Sequence, residues 1–389
     1  MNVLFFLSHQ PNPRFIKQIN YMAKRHEVNV LCFRRAALPD LGANIAKNVS
    51  VLSLGEIASS GQYLLRLVTY LKAFGVLWTA RRKIAADVVI INNIDVLALE
   101  LVSRAMFTKR STVILEISDL LQYVFEGGLG ARVSKGLDRL LYGNFVERLI
   151  VTSRKYYDDY YATFFRGPSM ELENKPLKSM LPARGPVRND SDKIIVGVVG
   201  LIYQAAPVRA LFEAVEDMEN VEVHIYGRLY ETQGSKALVE EACARLPNVK
   251  FLGEYDFFQD AARIYGSLDL LYVSYDTAPT MHNNRLALPN KLYEAMYFRV
   301  PLVASRLTYL AERVLEAGIG YEIDCGDTGQ IRAAIESCRK DRPRFQAAFE
   351  ALPDDAFFAD NDYEMLASFI EASMTDRARG VRYDHRGQD

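Results

Sequence analysis

Lys291 and Glu294 lie about one helical turn apart in a stretch whose other residues favour a helix. Pro289 suits a first helical turn, where its missing N–H is not needed. Apolar residues recur at helical spacing along one face, at Leu288, Leu292, Ala295 and Met296. A lysine at a helix start opposes the helix dipole, but free N–H groups hold an anion there, so a bound phosphate would satisfy both. Glu294 would then accept hydrogen bonds from a pair of sugar hydroxyls; the alternative is an ordinary amphipathic surface helix.

The segment from Glu294-Ala295-Met296 to Arg299-Val300-Pro301 passes from this helix through a turn into a short apolar strand. It resembles the donor-site helix of GT-B glycosyltransferases, close to family 4 and its polysaccharide-assembly relatives. The likeness extends over most of the chain. It implies an α/β fold with two Rossmann-like doubly wound domains facing across a cleft, and a C-terminal helix that crosses back to the first domain.

The resemblance also implies roles for residues of the helix. Glu294 would bind the ribose hydroxyls of a nucleotide sugar, expected to be UDP-linked, and Lys291 would lie near its diphosphate. Asn290, on the polar side of the same helix, is included in the predicted donor site. The sequence departs from the family at one point, because the usual pattern has a second Glu where Leu286 stands.

Five further residues complete the predicted donor site. Asn284 and Arg285 lie in the polar loop before the helix and would sit over the sugar, and a guanidinium there would pair with a uronic acid carboxylate. Arg209 follows the first strand of the second half, in a loop that in the family contacts the diphosphate. Gly227 forms a glycine turn after a strand, and Tyr255 ends a segment whose backbone contacts the nucleobase in the family.

The length of 389 residues exceeds what a single core usually covers, so two domains are expected. Strands and helices alternate along the chain, which predicts doubly wound parallel sheets. Prolines and glycines accumulate between the two halves and predict a linker. The predicted divisions are a first domain at 1–166, a linker at 167–192, a second domain at 193–360, a returning helix at 361–376 and a polar tail at 377–389.

Polar residues follow the predicted strands of the first half, at the sheet edge where open α/β folds bind ligands. In the resembling enzymes this edge of the first domain holds the acceptor. Ser8, Arg14 and Asn93 are therefore predicted acceptor-binding residues, and Asp119 and His9 are the predicted catalytic residues. Asp119 equally suits a helix cap, and a lone loop histidine is often only solvated. Family 4 enzymes retain the anomeric configuration; an inverting reaction would need Asp119 or His9 as its base.

Charge is unevenly distributed along the chain. Residues 1–170 contain 22 Lys and Arg against 13 Asp and Glu, whereas the remainder contains 25 against 35. Within the basic part, 63–83 reads as a basic amphipathic helix that carries Trp78, the only tryptophan. Such a helix suits an anionic membrane surface, and a core-facing helix is the alternative.

Four widely spaced cysteines argue for reduced thiols and against a zinc site. The N-terminus does not have the pattern of a signal peptide, and no apolar run reaches the roughly 18 to 20 residues of a membrane span. We therefore expect a cytoplasmic protein that is peripheral on the inner face of the membrane. No metal and no cofactor are expected, because Lys291, Arg209 and helix N-termini can neutralise a departing diphosphate.

Two other functions stay open from the sequence alone. One is a nucleotide-sugar epimerase with the GT-B fold, against which the basic tryptophan-bearing helix argues. The other is a nucleic-acid-binding protein, suggested by the basic first half. Its aromatic and basic residues are not interleaved on one strand platform, so no nucleic-acid partner is expected.

Overall fold

The computed structural model describes residues 1–35, 42–57, 63–105, 111–185, 192–231, 234–278 and 280–378. The chain divides into two compact units. The first contains Met1–Glu173 and the chain from Asn361 onwards, and the second contains Asn174–Asp360.

The first unit is built on a seven-stranded parallel sheet. Its strands are β1 (Asn2–Leu7), β2 (Glu27–Arg34), β3 (Ser50–Glu56), β4 (Val88–Ile91), β5 (Thr112–Ile117), β6 (Arg148–Val151) and β7 (Ser169–Glu171), in the order β3-β2-β1-β4-β5-β6-β7. The connecting helices are α1 (Pro13–Met22), α2 (Tyr63–Lys83), α3 (Ile94–Ala105), α4 (Leu129–Phe145) and α5 (Arg154–Asp159). The central strands are continuous apolar runs because helices cover both faces of such a sheet.

The second unit repeats this topology with six parallel strands. They are β8 (Ile194–Ile202), β9 (Val221–Leu229), β10 (Val249–Phe251), β11 (Leu270–Val273), β12 (Leu302–Ser305) and β13 (Gly320–Ile323), in the order β10-β9-β8-β11-β12-β13. The helices are α6 (Ala205–Val215), α7 (Ser235–Arg245), α8 (Phe257–Gly266), α9 (His282–Leu286), α10 (Asn290–Phe298), α11 (Tyr309–Glu316), α12 (Thr328–Ser337) and α13 (Arg342–Ala351). Apolar clusters fill both faces of the sheet. The two predicted doubly wound sheets are therefore confirmed.

The strand order reverses at the centre of each sheet, between β1 and β4 and between β8 and β11. The connections run in opposite directions from such a point and leave a crevice at the carboxyl ends of the two strands. Polar side chains that follow these four strands are therefore the first place to look for a site.

A last helix, α14 (Asp360–Ala378), packs on the first unit. The Tyr363 ring lies 5.3 Å from that of Tyr21, and Glu364 forms a 2.6 Å ion pair with Arg25. The chain thus returns to the first unit where the sequence predicted a returning helix. Residues 379–389 of the predicted tail lie outside the described residues.

The boundary between the units differs from the prediction. The segment 167–192, predicted as a linker, contains strand β7, which pairs in register with β6 and buries Met170. The strand has only three residues and prolines stand on both sides of it, so its sequence resembles a loop. Residues 186–191 of the predicted linker lie outside the described residues.

Helix α2 forms at 63–83 as predicted, but its apolar residues do not all lie on the buried face. Ala73, Leu77 and Ala80 are buried, whereas Val68 and Leu71 are exposed. Arg81 is also buried and forms a 2.9 Å ion pair with Glu100 of α3, so this cation is not available at the surface. The side chains at 63–67 lie outside the described residues. No helix in the described ranges is long and apolar enough to cross a bilayer.

Candidate functional site

The candidate site of the second unit lies where β8 and β11 end. A pocket there is lined by Ile202, Tyr203, Gln204, Tyr272, Ser274, Tyr275 and Lys291, among others. A second pocket of about 320 Å³ is lined by Gly200, Leu201, Gly227, Arg228, Glu254, Tyr255 and Phe257. The volume of the second pocket is within the range of small-molecule sites. The first pocket lies in the crevice that the strand order predicts, and the second lies beside it, where β8 and β9 end.

Helix α10 brings Lys291 and Glu294 to this place. The helix begins at Asn290, and Pro289 precedes it as the capping residue rather than lying in the first turn. Leu292, Ala295 and Met296 are buried, as the apolar spacing predicted. Arg299 ends the helix in a left-handed conformation, with φ of 60°.

Lys291 and Glu294 form an ion pair. Lys291 Nζ lies 2.6 Å from Glu294 Oε2 and 3.4 Å from the hydroxyl of Tyr255. The hydroxyl of Tyr265, in α8, donates to the same Glu294 oxygen. Both charged side chains are largely enclosed, with 16% and 9% of their areas exposed. Among the described residues, Glu294 Oε1 has no hydrogen-bond partner, so this oxygen is open to a ligand.

The Glu294 carboxylate favours the charged form of Lys291. Burial lowers the pKa of Lys291, but the Glu294 carboxylate and Tyr255 outweigh this, and the net pKa is raised. Burial and the Glu294 carboxylate both raise the pKa of the Tyr265 hydroxyl well above its ordinary value. Tyr265 therefore stays a proton donor at physiological pH.

Two glycines bring the chain close together below this pair. Gly200 has φ of 115°, and a Cβ there would lie 3.0 Å from Lys291 Cε. Gly227 has φ of 124°, and a Cβ there would lie 1.9 Å from the Gly200 carbonyl oxygen. Gly227 thus permits the close approach of β8 and β9, while Gly200 leaves room for the lysine side chain.

The predicted polar loop after β11 contains the short helix α9, and hydrogen bonds within this segment and to Gln204 hold it beside the first pocket. Asn284 Nδ2 donates to the Asp276 carbonyl at 2.7 Å, and the Asp276 N–H donates to Gln204 Oε1 at 2.9 Å. The Tyr203 hydroxyl lies 3.5 Å from Asn284 Oδ1. Asn284 thus lies next to Tyr203, which lines the first pocket.

Five predicted donor residues line neither of these two pockets, namely Glu294, Asn284, Arg209, Arg285 and Asn290. Glu294 and Asn284 contact lining residues of the first pocket, Lys291 and Tyr203 respectively. Arg209 is exposed on α6. Arg285 Nε lies 3.5 Å from the carbonyl of Leu307, and Asn290 Oδ1 accepts a 2.8 Å hydrogen bond from Asn174. Gly227 and Tyr255, by contrast, do line the second pocket.

Sequence reasoning missed Tyr265 and the exposed ion pair of Arg228 with Glu254 at 3.1 Å. Arg228 follows a glycine turn and Glu254 follows another, which is a signal that could have been used. Tyr265 gave no such signal, because it lies on the buried face of a helix distant in sequence from Glu294.

The carboxyl ends of β1 and β4 meet in the first unit. Asn92 Oδ1 accepts the Ser8 N–H at 2.9 Å, and Asn92 Nδ2 lies 3.3 Å from His9 Nε2. His9 Nδ1 lies 2.7 Å from the Gln10 carbonyl, so it must carry the proton and Nε2 must accept from Asn92. Burial lowers the pKa of His9, which favours the neutral ring.

Asp119 follows β5 and is a second titratable group near this edge. Burial raises its pKa, against the opposing effect of a 3.4 Å hydrogen bond from the Tyr156 hydroxyl. Asn93 accepts a 3.4 Å bond from the Asp95 N–H at the start of α3, which is a capping role.

Arg14 does not line an open crevice as the sequence suggested. Only 6% of its side chain is exposed, and Nε forms a 2.6 Å ion pair with the fully buried Glu116. Gln18 Nε2 donates to the same Glu116 oxygen at 2.8 Å. Arg14 belongs to α1 and Glu116 to β5, so the pairing of residues distant in sequence could not be read from either segment.

No group of three or more His, Cys, Asp or Glu side chains within the described ranges is arranged to hold a metal ion.

Residues 193–341 match the family described as Glycosyl transferases group 1. No curated protein sequence matches the chain. Among solved structures, sucrose-phosphate synthase from Thermosynechococcus elongatus is similar with a TM-score of 0.71 and 14% identity, covering 96% of this chain and 99% of that one. Anabaena HepE in complex with UDP has a TM-score of 0.70 and 15% identity, with coverage of 96% and 100%. WaaG, a glycosyltransferase involved in lipopolysaccharide biosynthesis, has a TM-score of 0.62 and 16% identity, with coverage of 95% and 99%. These likenesses confirm the predicted two-domain α/β fold.

Proposed function

We propose that this chain, which has the GT-B fold and carries a glycosyl transferases group 1 domain at residues 193–341, moves a sugar from a nucleoside-diphosphate sugar to a saccharide acceptor. The family match and the fold together support a glycosyltransferase. One observation carries the donor assignment: Lys291 and Glu294 meet at the start of α10, beside the pocket where β8 ends. A cation and a carboxylate at this place suit a ligand with an anionic part and a hydroxyl-bearing part.

When the donor binds, Lys291 and Glu294 would leave their ion pair and each would contact a part of the donor instead. In the free protein each charge largely neutralises the other. A diphosphate would draw the flexible Lys291 ammonium towards itself, assisted by the free N–H groups at the start of α10. Glu294 would keep the Tyr265 bond on Oε2 and accept ribose hydroxyls on Oε1.

We propose UDP as the nucleotide, because HepE has been solved with UDP and with UDP-glucose. The transfer would require no metal ion. Lys291 and the N–H groups of α10 would stabilise the charge that develops on the departing diphosphate. Chelator-insensitive transfer supports this part of the proposal, and loss of transfer with chelator contradicts it.

The proposed reaction retains the anomeric configuration. Asp119 would contact the attacking hydroxyl of the acceptor, and burial raises its pKa above that of an ordinary carboxyl group, which makes it a stronger proton acceptor. If the product is inverted, Asp119 is a better candidate for the base than His9, because His9 Nε2 already accepts from Asn92.

The transferred sugar is proposed to be a hexose or a hexuronic acid. A uronate donor would require the Arg285 side chain to turn from the Leu307 carbonyl towards the sugar, where its guanidinium would pair with the sugar carboxylate. Release of UDP from a panel of UDP-hexoses and UDP-hexuronates tests this point. Equal rates of UDP release from the two classes of donor would contradict a uronate donor, and the hexosyl donor would remain the proposal.

The acceptor is proposed to be a lipid-linked or growing saccharide in cell-surface polysaccharide synthesis. The protein would meet it in the cytoplasm, at the anionic inner face of the membrane. The sequence predicts the basic part of α2 as the contact, and Val68 and Leu71 of that helix are exposed, but its Arg81 is buried against Glu100.

The test of the donor site is calorimetric titration with UDP, GDP and ADP. Lys291→Ala is expected to weaken UDP binding about tenfold, which corresponds to about 1.4 kcal/mol. Lys236→Ala removes a lysine of an exposed ion pair and is the matched control. Unchanged UDP affinity in Lys291→Ala would contradict the site.

Two competing functions have distinct outcomes. An epimerase would change the configuration of the donor sugar without any acceptor, which NMR of the donor would detect. A nucleic-acid-binding protein would bind oligonucleotides with a strong salt dependence. Either result, without sugar transfer, would replace the proposal.

A further inference from the structure

The outer face of α4 carries an exposed apolar stripe. Leu129, Val133, Leu137 and Leu140 are 80%, 56%, 45% and 58% exposed, respectively. Their spacing of four, four and three positions places them along one side of the helix. Single exposed leucines are common, but an aligned set of four marks a surface that binds something apolar.

The inner face of α4 fixes this orientation. Ala131, Asp138 and Tyr142 are buried. The Asp138 carboxylate accepts hydrogen bonds from the hydroxyls of Tyr123 at 2.6 Å and Tyr160 at 2.7 Å. Turning the helix to bury the leucines would break both bonds and leave a carboxylate without donors, so the stripe faces outwards as a consequence of the fold.

Three cations flank the stripe. Arg132, Lys135 and Arg139 follow one another on the side next to it, and Lys135 Nζ donates to the Glu126 carbonyl at 2.8 Å. The only acidic residue of α4 is the buried Asp138. The outward face of α4 is thus apolar and positively charged. The nearest acidic residue before the helix in the sequence is Glu126.

The apolar stripe and the cations together indicate which kind of partner binds this face of α4. A second copy docked through the same face would bring three cations against three like charges, which disfavours a symmetric dimer. A lipid surface with anionic headgroups offers both an apolar layer for the leucines and negative charge for the cations. We infer that the outer face of α4 docks on an anionic lipid surface.

The inference deepens one part of the proposed function, the membrane partner, and assigns the contact to a helix that the sequence had not indicated. It rests on that membrane partner but not on sugar transfer. Among its described side chains, α2 exposes Val68, Leu71 and Val76 as well as Lys72, Arg82 and Lys83, but its Arg81 is buried against Glu100. Helix α4 differs in aligning four exposed apolar residues, one of them 80% exposed, beside the exposed Arg132 and Arg139.

The experiment is sedimentation of the full chain with vesicles of phosphatidylcholine alone or of phosphatidylcholine with phosphatidylglycerol. The stripe variant is Leu129→Ser/Leu137→Ser/Leu140→Ser, and the charge variant is Arg132→Gln/Arg139→Gln. The matched control on α2 is Val68→Ser/Leu71→Ser. Exposed positions are chosen so that folding is kept, which Trp78 fluorescence on unfolding verifies.

Wild-type protein is expected to bind only the anionic vesicles. The stripe and charge variants should each lose about tenfold or more of this binding, and the α2 variant should lose less than about twofold. If the α2 variant loses vesicle binding and both α4 variants keep it, the inference is overturned, but the proposed membrane partner stands. No binding by wild type, or equal binding to both vesicles, overturns both. A dimer that the stripe variant abolishes, without vesicle binding, assigns the face to a second copy instead.

Sugar transfer to a soluble acceptor separates this inference from the catalytic proposal. The α4 variants should keep that activity, because their residues lie outside the donor site. Vesicle binding without any transfer would contradict the enzyme and leave the docking face standing.

Discussion

Tyr265 donates its hydroxyl to Glu294 Oε2, the same oxygen that Lys291 Nζ approaches to 2.6 Å. The tyrosine comes from α8, and its ring stacks on Phe298 with centroids 4.8 Å apart. One carboxylate oxygen is therefore held by two donors before any ligand arrives, and the other remains open. A carboxylate fixed in this way loses less conformational freedom on binding.

Tyr265→Phe tests whether this bond positions the carboxylate. Removing a donor to a charged, buried acceptor should lower the free energy of unfolding by about 1.5–3 kcal/mol. UDP affinity should also fall about fivefold, because Glu294 would no longer be held for the ribose. Tyr321→Phe removes a comparable 2.7 Å bond to Asp341 and is the control. Equal effects of the two variants on UDP affinity would contradict a positioning role for Tyr265.

Gly200→Ala tests the space below Lys291. The new Cβ would lie 3.0 Å from Lys291 Cε, the far part of a flexible side chain, so the lysine should move rather than the backbone. UDP affinity is expected to fall at least about fivefold, with a further loss of stability from the positive φ of 115°. Gly234→Ala, at φ of 72° with open space around it, is the control and should leave UDP affinity unchanged. A normal affinity in Gly200→Ala would show that the lysine does not contact the nucleotide.

The coupling of Lys291 and Glu294 is measured with a double-mutant cycle. Glu294→Met leaves a largely enclosed ammonium without its carboxylate and should cost about 3 kcal/mol of stability. Lys291→Met should cost less, because Glu294 keeps the Tyr265 bond. The double variant should recover part of the loss, giving an interaction of about 1–3 kcal/mol by denaturant unfolding. Additive effects would mean that the pair is not coupled in the free protein.

Local patterns predicted the elements that carry the donor pair. The apolar run of β8 and the spacing of Leu292, Ala295 and Met296 in α10 each depend on residues close in sequence. Such periodicity reflects which face is buried, so both elements could be placed without coordinates.

Pairings between distant segments could not be predicted in this way. Arg14 was predicted at an open edge because it follows a strand, yet it lies against Glu116, 102 positions later. Tyr265 was overlooked because its partner is 29 positions away on another helix. In both cases the three-dimensional packing, rather than the local pattern, decides what the side chain contacts.

Lys17 lies in α1, among the buried polar residues of the first unit, with only 9% of its area exposed. Burial, with the positive charge of Arg14 nearby, lowers the pKa of the Lys17 ammonium to about 7. In the unfolded chain a lysine holds its proton up to about pH 10. Between these two values the unfolded state binds more protons than the folded state, so the free energy of unfolding rises with pH.

Lys17→Met should therefore flatten the dependence of stability on pH. The wild-type free energy of unfolding is expected to rise by up to about 1.4 kcal/mol per pH unit between pH 7.5 and pH 9 through this residue alone, and the variant should lack that contribution. Urea unfolding followed by the fluorescence of Trp78 makes the measurement, because the only tryptophan of the chain lies in the first unit and reports on it separately. Lys24→Met, at an exposed position after the same helix, is the matched control and should keep the wild-type slope. The same slope in Lys17→Met as in wild type would show that Lys17 stays protonated in the folded protein across this range.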